Sequence, residues 1–175
     1  MKALTLWQPW ASLVALGKKR IETRSWSTKY RGELAIHAAA SLPPKWLGAS
    51  RHNEEFRDAI ADVFNCRRDR DERMGFHVDD ALKKLDYGAV LCIVNLVSIE
   101  ETSEMFPEHL PDYERLFGNY EPGRYAWALE VVEVFDEPIP AKGNRMLWNW
   151  HADLSKIRQL KPYTPPAPRA DSSSR

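Results

Sequence analysis

Residues 17–24 read Gly-Lys-Lys-Arg-Ile-Glu-Thr-Arg, and they join a predicted short helix to a predicted strand. The helix covers Trp10–Leu16, whose apolar residues recur at helical spacing. Pro9 fits the first turn of that helix, and Gly17 fits the position just past its end. Arg20–Trp26 alternates charged with less polar residues, a pattern typical of a half-exposed strand. We therefore expect Gly17 to provide a turn between the two elements.

The charged residues of this predicted strand share one face. Because successive side chains of a strand point to opposite sides, Glu22, Arg24 and Trp26 alternate onto the same side. There the Glu22 carboxylate would hold the Arg24 guanidinium in position to grip a phosphate or a base edge with two hydrogen bonds. Lys19 has the opposite parity, so only a bulge or a loop would bring it to Glu22. The alternative for this trio of charges is a structural salt bridge.

Further strand signals lie on both sides of this stretch. Gly88–Ile99 is the strongest, and Tyr125–Phe135, which Pro138 and Pro140 follow, is the second. Shorter segments complete the pattern: Ala3–Trp7, Glu33–Ala38 and a closing segment that starts at Leu147. Five or six strands with short helices between them predict an α+β fold, a small mixed β-barrel surrounded by short helices.

The length of 175 residues suits one compact domain. We predict a domain over residues 1–155 with a helical, charged insertion at about 43–84. Within the insertion, Asn53–Phe64 carries apolar residues on one helical face, and His77–Leu85 fits another short helix. Residues 162–175 contain four prolines and a run of serines, which predict a disordered tail.

The charges balance over the whole chain but not along it. Lys plus Arg and Asp plus Glu both number 25, which excludes a protein that coats nucleic acid by bulk positive charge. Between residues 18 and 31, however, six bases stand against one acid, and between residues 100 and 121 seven acids stand against one base. With Trp26 and Tyr30, the basic stretch has the composition of a surface that binds phosphates and stacks on bases. The alternative is a solvated strand and loop.

Cysteine and histidine patterns give no sign of a metal site. Cys66 and Cys92 lack a short ligand spacing, and the five histidines form no pair at helical ligand spacing, so we predict no metal and no cofactor. The opening residues lack the long apolar segment of a signal peptide, and no stretch reaches the length of a membrane span. We expect a cytoplasmic protein without a membrane partner, in an oligomeric state that the sequence leaves open.

Residues 17–24 also fit the pattern Gly-x-Lys-x-x-Glu-x-Arg that marks the ASCH family, whose β-barrel fold is related to the PUA RNA-binding domains. The segment Leu6–Leu13, which reads Leu-Trp-Gln-Pro-Trp-Ala-Ser-Leu, resembles the start of the ASCH domain of a transcription coactivator. Lys142 and Gly143, with Trp148 a few residues on, resemble the closing segment of that domain. The resemblance covers roughly residues 3–150 and is densest over the first forty.

This resemblance implies a cleft, lined by the motif, that faces RNA or DNA. Carried over to this chain, the cleft residues are Lys19, Glu22 and Arg24, with Gly17 at the turn. We add nearby residues that would supply charge or aromatic surface: Arg31, Trp26, Tyr30 and Trp7. The leading hypothesis is a domain that binds RNA or single-stranded DNA, with a nucleic acid or a nucleoside as partner.

Two other functions stay open, and whether the chain is an enzyme is undecided. In the family that this chain resembles, some small bacterial proteins are amidohydrolases that deacetylate N4-acetylcytidine, and others are reported as ribonucleases. A lysine matching Lys19 activates a threonine nucleophile in the first type. Here Glu22 occupies the position of that threonine, and Thr23 falls on the other face of the strand. Lys19 and Glu22 would then be catalytic as a pair, with Glu22 activating a water or the ribose hydroxyl.

The acidic stretch is the third feature with a functional interpretation. Glu100, Glu101 and Glu104 are candidates for an additional catalytic acid, and the alternative for them is an acidic surface helix. The whole stretch from Glu100 to Glu121 also suits a protein-interaction module of the coactivator type.

Overall fold

The structure is a computed structural model, and it describes residues 1–41, 54–64 and 78–155, without the side chains of 78–80. These residues form six strands: β1 (Lys2–Leu6), β2 (Ile21–Arg24), β3 (Gly32–Ala38), β4 (Ala89–Glu101), β5 (Tyr125–Pro140) and β6 (Leu147–Asn149). They also form four α-helices: α1 (Trp10–Ala15), α2 (Glu54–Val63), α3 (Val78–Lys83) and α4 (Asp112–Phe117). Between β4 and α4 lie two 3₁₀ turns, Thr102–Glu104 and Pro107–His109.

The strands form one mixed sheet in the order β2-β5-β4-β3-β1-β6. β1 and β3 are parallel, and every other pair is antiparallel. The sheet curls into a half-barrel with a few short helices around it, which confirms the predicted α+β fold with a small mixed barrel. The main apolar cluster fills the concave side of the sheet and includes the buried Trp127 and residues of α1.

β4 is the central strand, and its apolar run is explained by burial on both faces of the sheet. Cys92, Val94 and Leu96 belong to the concave cluster, whereas Val90 and Ile93 pack on the other face with Phe135 and Trp150. The register between β4 and β5 shifts at three places along the pair. Such bulges bend and twist a strand, and they help to close the sheet toward a barrel.

β5 extends further than the sequence indicates. Its strand signal ends at Phe135, yet the strand continues through Pro138 to Pro140, which pairs with Ala89 of β4. Proline lacks the N–H that a central strand needs, so it is confined to edges. The register of β2 on β5 ends at Ala128, so beyond it the described strands pair with β5 on one side only.

α1 ends in the turn that carries the motif. Gly17 has a φ of +67°, the left-handed conformation that glycine adopts without strain. After it, the backbone N–H groups of Lys18 and Lys19 both donate to the carbonyl oxygen of Leu13, at 2.9 and 3.1 Å. The chain therefore folds back over the helix end, and this reversal positions Lys19 before β2 begins.

The helices pack together beside the open edge of the sheet. An apolar cluster joins α1, α2 and α4 through Leu13, Phe56, Ile60 and Phe117. The predicted helices at 53–64 and 77–85 are present as α2 and α3. The rest of the predicted insertion and the predicted tail at 162–175 lie outside the described residues. In the part that is described, no helix has the length and apolar character needed to cross a bilayer.

Candidate functional site

A cleft of about 450 Å³ lies between the motif strand and the helical cluster. Its walls come from the end of β1, from β2 and from the helices α1, α2 and α4. The predicted site residues among those that line it are Trp7, Glu22, Arg24 and Trp26. Its other lining residues include Trp10, Thr23, Phe117, Asn119 and Arg124.

Glu22 and Arg24 form the charged part of the cleft wall. Arg24 Nε lies 3.1 Å from Glu22 Oε1, a close ionic contact whose angles fall outside hydrogen-bond geometry. Arg24 Nη2 donates to the carbonyl oxygen of Thr5 at 2.9 Å. The Arg24 side chain is 25% exposed, and its Nη1 has no hydrogen bond to any described residue. One arm of the guanidinium is thus held in place while the other is available to a ligand.

Lys19 lies behind Glu22, with its side chain fully buried. Its Nζ is 3.6 Å from Glu22 Oε2 and donates a hydrogen bond to the carbonyl oxygen of Ile21. Burial lowers the pKa of Lys19 below its ordinary value, although the carboxylates of Glu22 and Glu114 act in the opposite direction. Strand parity alone would separate Lys19 from Glu22. They meet because Lys19 belongs to the turn and not to the strand.

Glu114 of α4 fastens the helical wall to the start of the motif strand. It is buried, and its carboxylate accepts hydrogen bonds from the backbone N–H groups of Arg20 and Ile21, the latter at 3.2 Å. The Tyr120 hydroxyl donates to the backbone carbonyl of Glu114 at 3.3 Å. Burial, helped by the carboxylates of Glu114 and Glu22, raises the pKa of Tyr120 well above its ordinary value. The charges behind the cleft are therefore arranged by α4 as well as by the motif.

A second tie closes the same wall of the cleft. The backbone N–H of Asn119 donates to Thr23 Oγ1 at 3.0 Å. Arg124 donates from Nε to the carbonyl oxygen of Asn119 at 3.2 Å and from Nη2 to that of Thr23 at 3.1 Å. Thr23 is thus committed to the wall through both its hydroxyl and its carbonyl group. The partly buried guanidinium of Arg124 adds a second cation to the cleft lining.

Aromatic rings supply the apolar part of the cleft. Trp26 meets the buried Trp127 edge to face, with ring centroids 4.7 Å apart. Trp10 donates from Nε1 to the carbonyl oxygen of Phe117 at 2.8 Å, which fixes the indole against α4. Trp7 completes the set at the end of β1. Three half-buried tryptophans therefore border one cleft, and each indole has a π-face on which a planar group can stack.

The structure separates the other predicted site residues from the cleft. Lys19 does not line it, and neither do Tyr30 and Arg31. Tyr30 packs on the concave cluster, and its hydroxyl donates to the carbonyl oxygen of Glu33. Arg31 is exposed and donates to the carbonyl oxygens of Thr28 and Tyr30 in its own turn. These contacts stabilise the β2–β3 connection.

None of the three acidic candidates lines the cleft. Glu100 and Glu101 are the exposed end of β4, and Glu104 lies in a 3₁₀ turn, so they do not form a surface helix. Among the described residues, no cluster of three or more His, Cys, Asp or Glu side chains could hold a metal ion.

Sequence reasoning missed the half of the site that comes from residues 114–124. Glu114 falls within the acidic stretch, where its composition indicates a solvated surface, yet it is buried against β2. Asn119 and Arg124 stand in a connection without a recognisable motif. The available signal was local composition: in α4, Glu114 stands among the apolar Tyr113, Leu116 and Phe117, which indicates that this helix packs against the protein.

Comparison with known proteins identifies the family of this chain. The family described as "ASCH domain" matches residues 4–139. Two curated relatives match over 40 residues: Activating signal cointegrator 1 of Homo sapiens, 55% identical, and Activating signal cointegrator 1 of Mus musculus, 52% identical. Each alignment covers 23% of this chain and only 7% of the relative. The family match spans most of the chain and contains the motif, the lining of the cleft and most of the half-barrel, so the chain belongs to the ASCH domain family.

Proposed function

We propose that the cleft binds a single-stranded nucleic acid, either RNA or single-stranded DNA. The observation that carries this proposal is the combination in one cleft of the Glu22–Arg24 pair with three tryptophans. Family membership supports it, because ASCH domains are typically RNA-binding. The volume of about 450 Å³ lies within the range of ligand pockets, and an unstacked base with its sugar is of that scale.

Different lining residues suit different chemical groups of the ligand. The Glu22 carboxylate accepts hydrogen bonds and repels phosphate, so it suits the N–H groups on a base edge. The free Nη1 of Arg24 suits a phosphate oxygen or a base acceptor. Trp7, Trp10 and Trp26 offer rings to stack on, an interaction worth about 1–3 kcal/mol per base in single-strand binding. On this arrangement Lys19 does not touch the ligand, and it acts by holding Glu22.

Fluorescence anisotropy with labelled RNA and DNA oligonucleotides at several salt concentrations tests the proposal. We expect binding that weakens as salt rises, and quenching of tryptophan fluorescence by the bound bases. Arg24→Ala should weaken binding by about tenfold to a hundredfold, the usual cost of losing a specific arginine contact. Lys84→Ala, which removes an exposed charge outside the cleft lining, is the control. Absence of binding to any oligonucleotide at low salt, by folded protein, would refute the proposal.

The Lys19–Glu22 pair supports one alternative, a hydrolase acting on a modified nucleoside or on RNA. A carboxylate that borders the cleft and is flanked by two cations has the position of a general base. Lys19 does not line the cleft and donates to the carbonyl oxygen of Ile21, and a threonine hydroxyl such as that of Thr23 is not itself a base, so the role of general base falls to Glu22.

Product analysis separates the two functions. The protein is incubated with N4-acetylcytidine and, separately, with RNA, and the mixtures are resolved by chromatography. A hydrolase should release cytidine or shorter RNA, and Glu22→Gln should abolish the reaction at a temperature where circular dichroism shows that the variant is folded. If neither substrate is turned over and oligonucleotides still bind, the hydrolase function is refuted and the binding function remains.

A protein-interaction function of the stretch from Glu100 to Glu121 stays a prediction. Its exposed members include Phe106, whose side chain is largely in solvent and whose ring is tilted at 31° to the His109 ring, with centroids 5.7 Å apart. Part of the stretch is committed to the fold, since Glu114 is buried. A partner that binds the protein without competing with an oligonucleotide would support this function beside the first.

A further inference from the structure

The segment that connects β5 to β6 is fastened to the barrel at both ends. At its start, His37 Nε2 and the carbonyl oxygen of Ala141 are 3.0 Å apart in a hydrogen bond. At its end, Trp148 Nε1 donates to Thr5 Oγ1 at 3.1 Å, and the Trp148 ring meets the His37 ring edge to face. We call the residues Lys142–Met146 between these two ties the basic loop.

The middle of the basic loop presses directly on the barrel. A Cβ atom on Gly143 would lie 2.4 Å from His37 Cε1 and 3.0 Å from Thr5 Oγ1, so only glycine fits there. Arg145 N donates to Asn144 Oδ1 at 2.8 Å, and Met146 holds a positive φ of 58°. The loop is therefore anchored to the barrel on its inner side, and a hydrogen bond between neighbouring residues adds a contact within it.

The outer side of the basic loop is positively charged and open to solvent. Lys142 and Arg145 are both exposed. The salt bridges among the described residues join Lys19 and Arg24 to Glu22 and Arg115 to Asp112, and neither cation of the loop takes part in one. These two cations thus have no intramolecular function that the described structure accounts for.

Thr5 places the basic loop beside the cleft. Its carbonyl oxygen accepts from Arg24 Nη2, and its hydroxyl accepts from Trp148, while Gly143 packs against the same side chain. Two residues further along, Trp7 lines the cleft. The basic loop therefore lies beside the contact between Thr5 and Arg24, at the β1 end of the cleft.

We propose that the basic loop is a second phosphate-binding site, which holds the sugar–phosphate backbone of a strand where it leaves the cleft. This inference rests on the proposed function and extends it. Lys142 and Arg145 contact phosphates through charge and hydrogen bonds, and they read no sequence. Because the loop is preformed, little backbone entropy is lost when a strand binds it.

The salt dependence of oligonucleotide binding tests this site. Each phosphate contact to a single strand contributes about 0.7 to the slope of log affinity against log salt. With an octanucleotide, Lys142→Ala and Arg145→Ala should each make this negative slope shallower by about 0.7, and the double variant should make it shallower by about 1.4. Lys84→Ala, a charge removed elsewhere, should leave the slope unchanged. A dinucleotide, which fills only the cleft, should bind the double variant and the wild type equally.

The outcomes distinguish this inference from the proposed function. An octanucleotide slope that is the same in the double variant, the Lys84→Ala variant and the wild type overturns the second site, even when Arg24→Ala weakens binding. Loss of dinucleotide affinity in the double variant also overturns it, because the loop would then act on the cleft itself. Failure of the wild type to bind any oligonucleotide overturns the proposed function and the second site together.

Discussion

Arg24 and Thr5 are joined by a hydrogen bond of 2.9 Å from the guanidinium Nη2 to the backbone carbonyl oxygen. The two residues belong to β2 and β1, which are not neighbours in the order of the sheet. The curl of the sheet brings these strands together, and a side chain takes the place of a backbone ladder between them. The same guanidinium lies against Glu22, so one residue both links the strands and presents a cation to the cleft.

Arg24→Lys should behave more like Arg24→Ala than like the wild type. Lysine keeps the charge, but it has no planar fork with which to reach Thr5 and a ligand at once. We expect oligonucleotide affinity to fall by about tenfold, measured by anisotropy, with a smaller loss of stability. Wild-type affinity in the Lys variant would show that only the charge of Arg24 matters.

Glu22→Gln should destabilise the fold because it leaves the buried Lys19 with less compensation. Removing one partner of a buried ion pair costs about 3–5 kcal/mol, and Glu114 nearby should keep the cost toward the lower figure. In Lys19→Met/Glu22→Gln both charges are gone, so we expect the double variant to lose much less free energy of unfolding than the sum of the losses in Lys19→Met and Glu22→Gln. Urea denaturation of the four proteins measures this coupling.

The exposed pair Arg115 and Asp112, 3.0 Å apart, is the matched control for that cycle. Its side chains are 52% and 84% exposed, so its coupling should be within about 0.5 kcal/mol. If the Lys19–Glu22 coupling is equally small, the pair contributes no more than a surface salt bridge.

Glu114→Gln should lower the free energy of unfolding by about 1–3 kcal/mol. The amide has one acceptor oxygen, whereas the carboxylate accepts from two backbone N–H groups at the start of β2, so one buried donor loses its partner. Glu108→Gln, at an exposed position, is the control and should change stability very little. Equal urea midpoints for the two variants would contradict this role of Glu114.

The fold should lose stability as the pH falls below about 6.5, in part through His37. Burial lowers the pKa of His37 from its ordinary value, and its Nδ1 is buried without a hydrogen-bond partner. A group whose pKa is lower in the folded state stabilises the fold above its unfolded pKa of 6.5, and this contribution is lost as the pH falls toward the folded value. Unfolding measured at about pH 7.5 and about pH 5 should show the loss.

His37→Gln keeps a donor for the carbonyl of Ala141 and removes the titration, so it should lose less stability than the wild type over the same pH change. His109→Gln, on an exposed 3₁₀ turn, should keep the wild-type dependence. An NMR titration gives an independent result: an imidazole pKa of His37 at or above 6.5 would contradict the prediction.

Much of the fold could be predicted because its signals are local. The apolar run of β4 needs burial on both faces wherever it lies, and Gly17 marks a turn that most other residues would strain. Strand parity gave the wrong side for Lys19, because the residue precedes β2 and its backbone N–H bonds to Leu13 in the turn at the end of α1. The end of β5 was missed because prolines such as Pro138 and Pro140 usually mark the end of a strand. Here they are tolerated because this last part of β5 pairs with β4 on one side only.

The sequence by itself determined the family motif, the helix–turn–strand that carries it and the shared face of Glu22 and Arg24, since these depend on neighbours within a few residues. Tertiary structure alone decided which charges lie in the cleft. Lys19 became buried because the turn directs it behind Glu22, and Glu114 reached the backbone of Arg20 and Ile21 from about ninety residues away along the chain. The sequence shows where charged residues stand along the chain, whereas the burial and pairing of their side chains depend on which distant segments pack together.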